Sequence, residues 1–181
     1  MPTLDTVRLI LRDFVLSDWE ALNAIVSDPA VTRYMHFASW DEDKQRQWLT
    51  RMVQEASHPH PWHDDWALTL RSNGQFIGWL FIGENREAAE AGTRECGYAL
   101  DPRFWGQGYM TEALRAAFTY AFTVLGAREI VANCETANLA SARVMQKSGM
   151  TYERTCYDAD FEGNWAQRHH YKITAHAWAT L

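Results

Sequence analysis

A loop that contains two glycines, Arg103-Phe104-Trp105-Gly106-Gln107-Gly108, carries the strongest chemical signal in the sequence. It follows an apolar stretch at 96–100 that predicts a strand, and it precedes a helical pattern that begins near Tyr109. Glycine lets backbone N–H groups approach a ligand without a Cβ in the way. The first turn of a helix leaves its N–H groups unpaired and carries a partial positive charge. The arrangement therefore predicts an anion site, and a pyrophosphate is the guest that fits it.

The glycines alone do not identify the ligand, because two glycines after a strand also form ordinary turns. The loop is not a P-loop, since no Gly-Lys-Ser or Gly-Lys-Thr follows it. It is not a dinucleotide fingerprint either, since Thr111 stands where the third glycine belongs. A different phosphate-bearing cofactor and a plain turn both stay open on these residues.

Composition predicts one soluble domain over residues 1–181, with 47% hydrophobic and 22% charged residues. The net charge of −6 argues against nonspecific nucleic-acid binding, which needs a basic face, and is compatible with a cationic substrate. No apolar stretch approaches the length of a membrane span, and no secretory signal is visible. Cys96, Cys134 and Cys156 are odd in number and lack a Cys-x-x-Cys spacing, so we expect a cytoplasmic protein without disulfides or a metal.

The elements that must position the loop follow from hydrophobic periodicity. Strands are predicted at 7–15, 66–70, 75–82, 93–100, 128–134, 150–157 and 165–174. A helix begins after Ser17, where Glu20 completes a capping-box spacing, and Pro29 ends it. Further helices are predicted from about residue 41, at 111–125, and at 139–147 with Asn138 as the N-cap. This order of elements indicates a mixed α/β single domain.

The order of elements, the Arg103-x-x-Gly106-x-Gly108 loop and the Asn138-x-x-Ser141 motif resemble the GNAT superfamily of acetyl-CoA-dependent N-acetyltransferases. More specifically, the chain looks like the RimJ/RimL-like branch, which acetylates the N-termini of ribosomal proteins. Five stretches carry the closer match: residues 6–12, 27–31, 97–101, 105–114 and 138–141. They span nearly the whole chain in the family's order, and the combination is more specific than any one of them.

The resemblance implies a mixed, mostly antiparallel sheet of seven strands, flanked by about four helices and splayed open between the fourth and fifth strands. The pantetheine arm of acetyl-CoA, the cosubstrate, would lie in that gap. Backbone amides from Gly106 to Thr111 would hold the pyrophosphate, Asn138 would bond the arm, and Ser141 would lie close to the sulfur. The implied cofactor-binding residues are Ala99, Leu100, Arg103, Phe104, Gly106, Gln107, Gly108, Tyr109, Met110, Thr111, Asn138 and Ser141.

Amide formation from a thioester needs a neutral amine, donors for the developing oxyanion and a proton for the leaving thiolate. The resemblance implies Ser141 as the proton donor and Asp160, one methylene shorter than the family's glutamate, as the base. Ser141 could instead cap its helix locally, and Asp160 could be a plain turn residue. Glu84, Glu95 and Asp158 are other candidate bases, although each could equally be a solvated charge, and water alone is also open.

Two histidine-rich segments remain outside this scheme. The segment 58–65 contains His58, His60 and His63 beside two aspartates; its prolines and spacing favour an exposed loop or a substrate-side loop over a metal site. Arg168-His169-His170 is the largest departure from the family, which has an aspartate where Gln167 stands and apolar residues after it. Alternation would bury only one of these two histidines, and this strand borders the acceptor site in the family.

The sequence therefore predicts an acetyl-CoA-dependent N-acetyltransferase that acts on a primary amine, such as the α-amine of a ribosomal protein. The same chemistry on a small amine, for example an aminoglycoside-like drug, a polyamine or an amino-acid derivative, is the first alternative. A noncatalytic acyl-CoA-binding module is the second. We expect no metal, nucleic-acid or membrane partner, and a monomer or homodimer.

Overall fold

The computed structural model describes residues 2–35, 41–56, 63–85, 91–159, 163 and 165–181. Its centre is an eight-stranded sheet in the order β1-β2-β3-β4-β5-β6-β8-β7. The strands are β1 Leu4–Asp5, β2 Leu9–Arg12, β3 His63–Leu70, β4 Phe76–Glu84, β5 Thr93–Leu100, β6 Glu129–Glu135, β7 Thr151–Ala159 and β8 Trp165–Thr174. The helices are α1 Trp19–Val26, α2 Pro29–Thr32, α3 Glu42–Glu55, α4 Tyr109–Thr123, α5 Leu139–Lys147 and α6 Ala175–Trp178.

The expected mixed α/β architecture is confirmed, and the described residues contain one strand and two short helices more than expected. The extra strand is β1, a two-residue edge strand that pairs with β2. Pro29 opens the additional helix α2, because the side chain of Asp28 caps the Ala30 amide at 2.8 Å and proline needs no donor in a first turn. The other additional helix, α6, follows the last strand. Of the described helices, none is long and apolar enough to cross a membrane.

Two local predictions were wrong for physical reasons. The Ser17–Glu20 pair does not cap α1, and the Asp18 side chain instead closes the short 3-10 turn Leu16–Asp18 just before this helix. Its carboxylate accepts the Val15 amide at 3.0 Å and the guanidinium of Arg12 at 2.7 and 2.8 Å. The start of β3 at His63 places Asp64 and Asp65 inside a buried strand rather than in an exposed loop. The preceding residues 58–62 lie outside the described residues.

Apolar side chains on both faces of the sheet build two cores. Helices α4 and α5 cover one face, where Phe118, Leu114 and Met145 pack fully buried against strand residues such as Leu80 and Ile130. On the other face α1 and α3 cover the first half of the sheet, and Leu22 and Met52 pack against Trp79. Burying large apolar side chains of this kind stabilises the fold by roughly 1.5–3 kcal/mol each.

The sheet opens between β5 and β6, the predicted fourth and fifth strands. These two strands run parallel and pair at only three positions, from Thr93–Glu129 to Glu95–Val131. Strand β6 instead follows β8 along its whole length, from Glu129–Thr174 to Glu135–Arg168. The remainder of β5, residues 96–100, therefore diverges from β6 and leaves a gap between the two halves of the sheet. The splay that the resemblance implied between these two strands is confirmed.

Candidate active site

The glycine loop follows β5 directly and is held by Asp101. The Asp101 carboxylate accepts the backbone N–H of Arg103 at 2.9 Å and pairs with its guanidinium, with Nη2 to Oδ2 at 2.6 Å. The hydrogen bond from the Arg103 side chain lowers the pKa of Asp101 and outweighs the opposing effect of burial. The buried carboxylate thus stays ionised, and the guanidinium of Arg103, predicted to face the cofactor, is turned toward Asp101.

Gly106 and Gly108 both occupy the left-handed region, with φ of +72° and +81°. Gly108 is the N-cap of α4, and the first amide of that helix with a backbone acceptor is Glu112, which bonds the Gly108 carbonyl at 3.0 Å. The amide of Trp105 bonds the Pro102 carbonyl at 3.1 Å. The backbone N–H groups of residues 106–111 lie in the chain between these two bonded amides, at the positive N-terminal end of the fifteen-residue helix α4. This arrangement suits a diphosphate.

Side chains fix the two sides of the loop. Arg8 donates to the Gln107 carbonyl at 2.9 Å and lies over the ring of Tyr109 at 4.3 Å. The Gln107 amide donates to the Arg103 carbonyl at 3.0 Å, and the Trp105 indole donates to the Leu100 carbonyl at 2.6 Å. The loop is therefore preorganised by bonds that leave its glycine edge exposed.

Glu112, in the first turn of α4, ties the helix to the N-terminal strands. Its carboxylate accepts from the Thr6 hydroxyl at 2.6 Å and from the Arg8 backbone at 2.8 Å, and it pairs with the Arg8 guanidinium at 2.6 Å. Burial alone would raise the pKa of Glu112, but these bonds outweigh it and hold the pKa below its ordinary value. The Arg8–Glu112 contact joins residues 104 positions apart in the sequence and so fixes the N-terminus of α4 against the N-terminal strands.

Replacing Glu112 by glutamine is expected to weaken stability at neutral pH more than in acid. The pKa of the carboxyl is lower in the folded chain, so its contribution is full above about pH 4.3, the ordinary glutamate value, and is lost as the pH falls through the folded value. Thermal unfolding midpoints of both proteins from about pH 3 to 7 should converge at low pH. Glu42→Gln, in an exposed pair with Arg46 on α3, is the matched control and should shift little. If the difference in unfolding midpoint between Glu112→Gln and wild type stayed constant over this pH range, the lowered pKa assigned to Glu112 would be wrong.

The backbone of β5 alternates between its two neighbours. The backbone N–H of Asp101 donates to the carbonyl of Ile77 on β4 at 2.9 Å. The backbone groups of Ala99, two residues earlier, therefore point toward β4 as well. Tyr98 and Leu100 consequently direct their backbone groups to the splay. This alternation favours Leu100 over Ala99 for pairing with a ligand arm, and it adds Tyr98, which the sequence did not suggest.

Ser141 lies in the first turn of α5, at the splay. The side chain of Asn138 caps that helix and accepts the Ser141 amide at 3.1 Å, as the sequence predicts. The Tyr98 hydroxyl donates to the Ser141 carbonyl at 3.1 Å and lies 2.9 Å from the Ser141 hydroxyl. Burial raises the pKa of Tyr98 strongly, so it stays a neutral phenol that orients the serine. The structure thus joins β5 and α5 at one hydroxyl pair beside the gap.

Cys134 lies at the end of β6 on the same side of the splay. Its thiol contacts the Asn138 carbonyl at 3.8 Å. Burial raises the pKa of the Cys134 thiol to about 11, and a hydrogen bond from Ser141 lowers it only in part. Cys134 is therefore a neutral thiol at neutral pH.

The candidate bases lie in different places. Asp160 is outside the described residues, and its assignment as base stays a prediction. Glu84 ends β4 opposite Arg94, and Glu95 lies in the paired part of β5. Asp158 contacts His170 at 2.8 Å and Arg168 at 3.5 Å on the β7–β8 hairpin.

A family model described as an acetyltransferase (GNAT) domain matches residues 8–151, which contain the splay, the glycine loop and the Asn138–Ser141 turn. The chain belongs to the GNAT family. It is an acyltransferase, and its cosubstrate is acetyl-CoA.

Relatives of this GNAT chain include an uncharacterized N-acetyltransferase, YnaD, of Bacillus subtilis, with 27% identity over 97% of this chain and 98% of the relative. The FsC-acetyl coenzyme A-N(2)-transacetylase of Aspergillus fumigatus is 31% identical over 99% of this chain and 79% of its own.

Solved GNAT structures share the fold at lower identity. Mycobacterium smegmatis RimJ in complex with CoA-disulfide has a TM-score of 0.80 at 21% identity and covers 99% of this chain and 94% of its own. RimL, a ribosomal L7/L12 alpha-N-protein acetyltransferase in complex with coenzyme A, has a TM-score of 0.78 at 21% identity, over 96% and 98% of the two chains.

Proposed function

We propose that this GNAT enzyme transfers the acetyl group of acetyl-CoA to a primary amine, with the α-amine of a protein N-terminus as acceptor. One observation carries the proposal: an amide-lined helix N-terminus and a hydroxyl pair flank a single gap in the sheet. A diphosphate bound at 106–111 and an arm laid along 98–100 would direct the thioester toward Ser141.

The residues fit the cosubstrate on geometric grounds. Among the described residues, a Cβ at Gly106 would meet nothing within 4 Å and one at Gly108 would meet only Arg8 Nη2 at 3.5 Å, so the space beside these two amides is open. Leu100 lies on the splayed part of β5, where its N–H is directed to the gap and is available to an amide of the arm. Residues 105–108 of the loop are exposed, so the diphosphate would approach this edge from solvent.

Transfer proceeds by direct attack and needs no covalent enzyme intermediate. The neutral amine attacks the thioester carbonyl, so a C–N bond forms and the C–S bond then breaks. The attacking nitrogen loses a proton to a base, for which Asp160 is proposed, directly or through a water. The departing thiolate takes a proton or a hydrogen bond from Ser141, whose hydroxyl Tyr98 holds in place.

The protein acceptor is favoured by the fold likeness to RimL and by the open face of the β7–β8 hairpin. Tyr157 and Trp165 stack there at 5.6 Å and are 64% and 62% exposed, so a peptide could rest on them. The net charge of −6 suits a cationic acceptor. A small-molecule amine is the second candidate. It is favoured by the FsC-acetyl coenzyme A-N(2)-transacetylase, which is 31% identical to this chain, whereas RimL is 21% identical.

Acetyl-CoA turnover, followed as released thiol, should separate the two acceptors. The panel consists of N-terminal peptides, the same peptides with a blocked α-amine and a free lysine, polyamines, aminoglycosides and amino-acid derivatives. We expect the free α-amine peptides to give kcat/KM at least tenfold above their blocked partners. Turnover of small amines alone would replace the protein acceptor by the second candidate. Binding of coenzyme A with no turnover of any amine would favour a noncatalytic acyl-CoA-binding module.

A further inference from the structure

A second cluster of reactive side chains lies on the β7–β8 hairpin, away from the glycine loop. Cys156 and Asp158 are two residues apart on β7 and therefore face the same side of the sheet. His170 on β8 is diagonal to Cys156, because Arg168 stands opposite Cys156 and His170 stands opposite Arg154. A rigid antiparallel pair thus brings together a thiol, a carboxylate and an imidazole.

The three donor atoms form a small triangle. The His170 Nε2 lies 2.8 Å from Asp158 Oδ2 and 3.2 Å from Cys156 Sγ, and the thiol lies 3.5 Å from the same carboxylate oxygen. A tetrahedral zinc ion, with bonds of about 2.0–2.3 Å, spaces such atoms about 3.3–3.6 Å apart. The triangle therefore needs to widen by at most about half an ångström to place all three atoms around one ion.

We propose that Cys156, Asp158 and His170 bind one Zn²⁺ ion. Thiolate, imidazole and carboxylate are the donors that zinc selects in proteins, and three protein ligands leave a fourth position for water or an exogenous ligand. The site is partly open, since the Asp158 side chain is 33% exposed and that of His170 is 18% exposed. An ion could therefore enter from solvent.

Arg168 lies beside the proposed site. Its guanidinium is 3.5 Å from Oδ1 of Asp158, whereas Oδ2 of the same carboxylate faces the thiol and the imidazole. The positive charge of Arg168 opposes a second cation, so Zn²⁺ binding would depend on the negative charge of the thiolate and the carboxylate. The side chain of Arg168 is itself 8% exposed and also approaches Glu135 on β6 at 4.0 Å. Zinc would thus join β7 to β8, the strand that pairs with β6. The test of this role needs neither an acceptor nor turnover.

Cobalt titration of the purified full-length protein tests the proposal without any variant. Co²⁺ should bind one to one and produce a thiolate-to-cobalt charge-transfer absorption in the near ultraviolet, with the visible bands of tetrahedral geometry, and one equivalent of Zn²⁺ should abolish both. The absence of the charge-transfer band, or of stoichiometric Zn²⁺ binding, would overturn the proposal.

Variants then assign the ligands. Cys156→Ser should remove the charge-transfer band, and His170→Ala should weaken Zn²⁺ binding at least tenfold in competition with a chromophoric chelator. Cys96→Ala and His176→Ala are matched controls, because the first thiol is buried in the core and the second imidazole is exposed on α6. Equal affinities in the ligand and control variants would contradict the assignment, and circular dichroism establishes that each variant is folded.

Discussion

Replacing Gly108 by valine is expected to reduce coenzyme A affinity by at least a hundredfold. A β-branched residue is strained at the φ of +81° found there, and its side chain would stand at the amide edge where the diphosphate is proposed to bind. Among the described residues beyond the immediate chain neighbours, the new Cβ would contact Arg8 Nη2 alone, at 3.5 Å. The loss should therefore come from the ligand and the local backbone, as isothermal titration of coenzyme A would measure.

Gly126→Val is the matched control for the backbone effect. Gly126 follows the other end of α4, has a φ of +65° and has open space around its Cβ position. Both variants should lose comparable stability, whereas only Gly108→Val should lose coenzyme A binding. If the control lost as much affinity, or if Gly108→Val kept wild-type affinity, the anion site at 106–111 would be wrong.

Replacing Ser141 by alanine is expected to lower kcat about a hundredfold, a magnitude typical of a lost proton donor. Coenzyme A affinity should stay within a few-fold, because the Asn138 side chain caps the backbone amide of residue 141 and not its hydroxyl. Tyr98→Phe should have a smaller effect on kcat, since it removes the group that orients the serine and leaves the donor. Steady-state kinetics with a fixed acceptor measures all three quantities.

Ser148→Ala, in the same helix region, separates chemistry from stability. The Ser148 hydroxyl is fully buried and donates to the Val144 carbonyl at 2.8 Å. Its loss should cost about 1 kcal/mol of stability and leave kcat unchanged. An unchanged kcat in Ser141→Ala would remove the serine from the reaction even with the family assignment intact.

Local signals in the sequence predicted the loop and the helix cap well. Asn138 caps Ser141 three residues on, and Gly108 opens α4, because both features depend on neighbours in the chain. The Tyr98–Ser141 pair spans 43 residues, and the Arg8–Glu112 pair spans 104. Such pairs depend on strand order and register, which periodicity alone does not encode.

The hairpin cluster illustrates the same limit. Cys156 and His170 are 14 residues apart and match no metal-binding spacing along the chain, so a metal site was not expected there. Only the register of β7 on β8 brings them within 3.2 Å. The Ser17–Glu20 capping box failed for a similar reason, because the Arg12–Asp18 contact between a strand and the turn after it replaced a purely local pattern.

The three-position seam between β5 and β6 has a consequence for molecular recognition. A strand edge with unpaired backbone groups can hydrogen-bond any partner that presents amide groups at a matching spacing. The pantetheine arm of acetyl-CoA contains two amide bonds and would pair with this edge as a neighbouring strand does. Selection of the carrier would then depend on main-chain geometry, so side chains along this edge are free to diverge without loss of the shared cosubstrate.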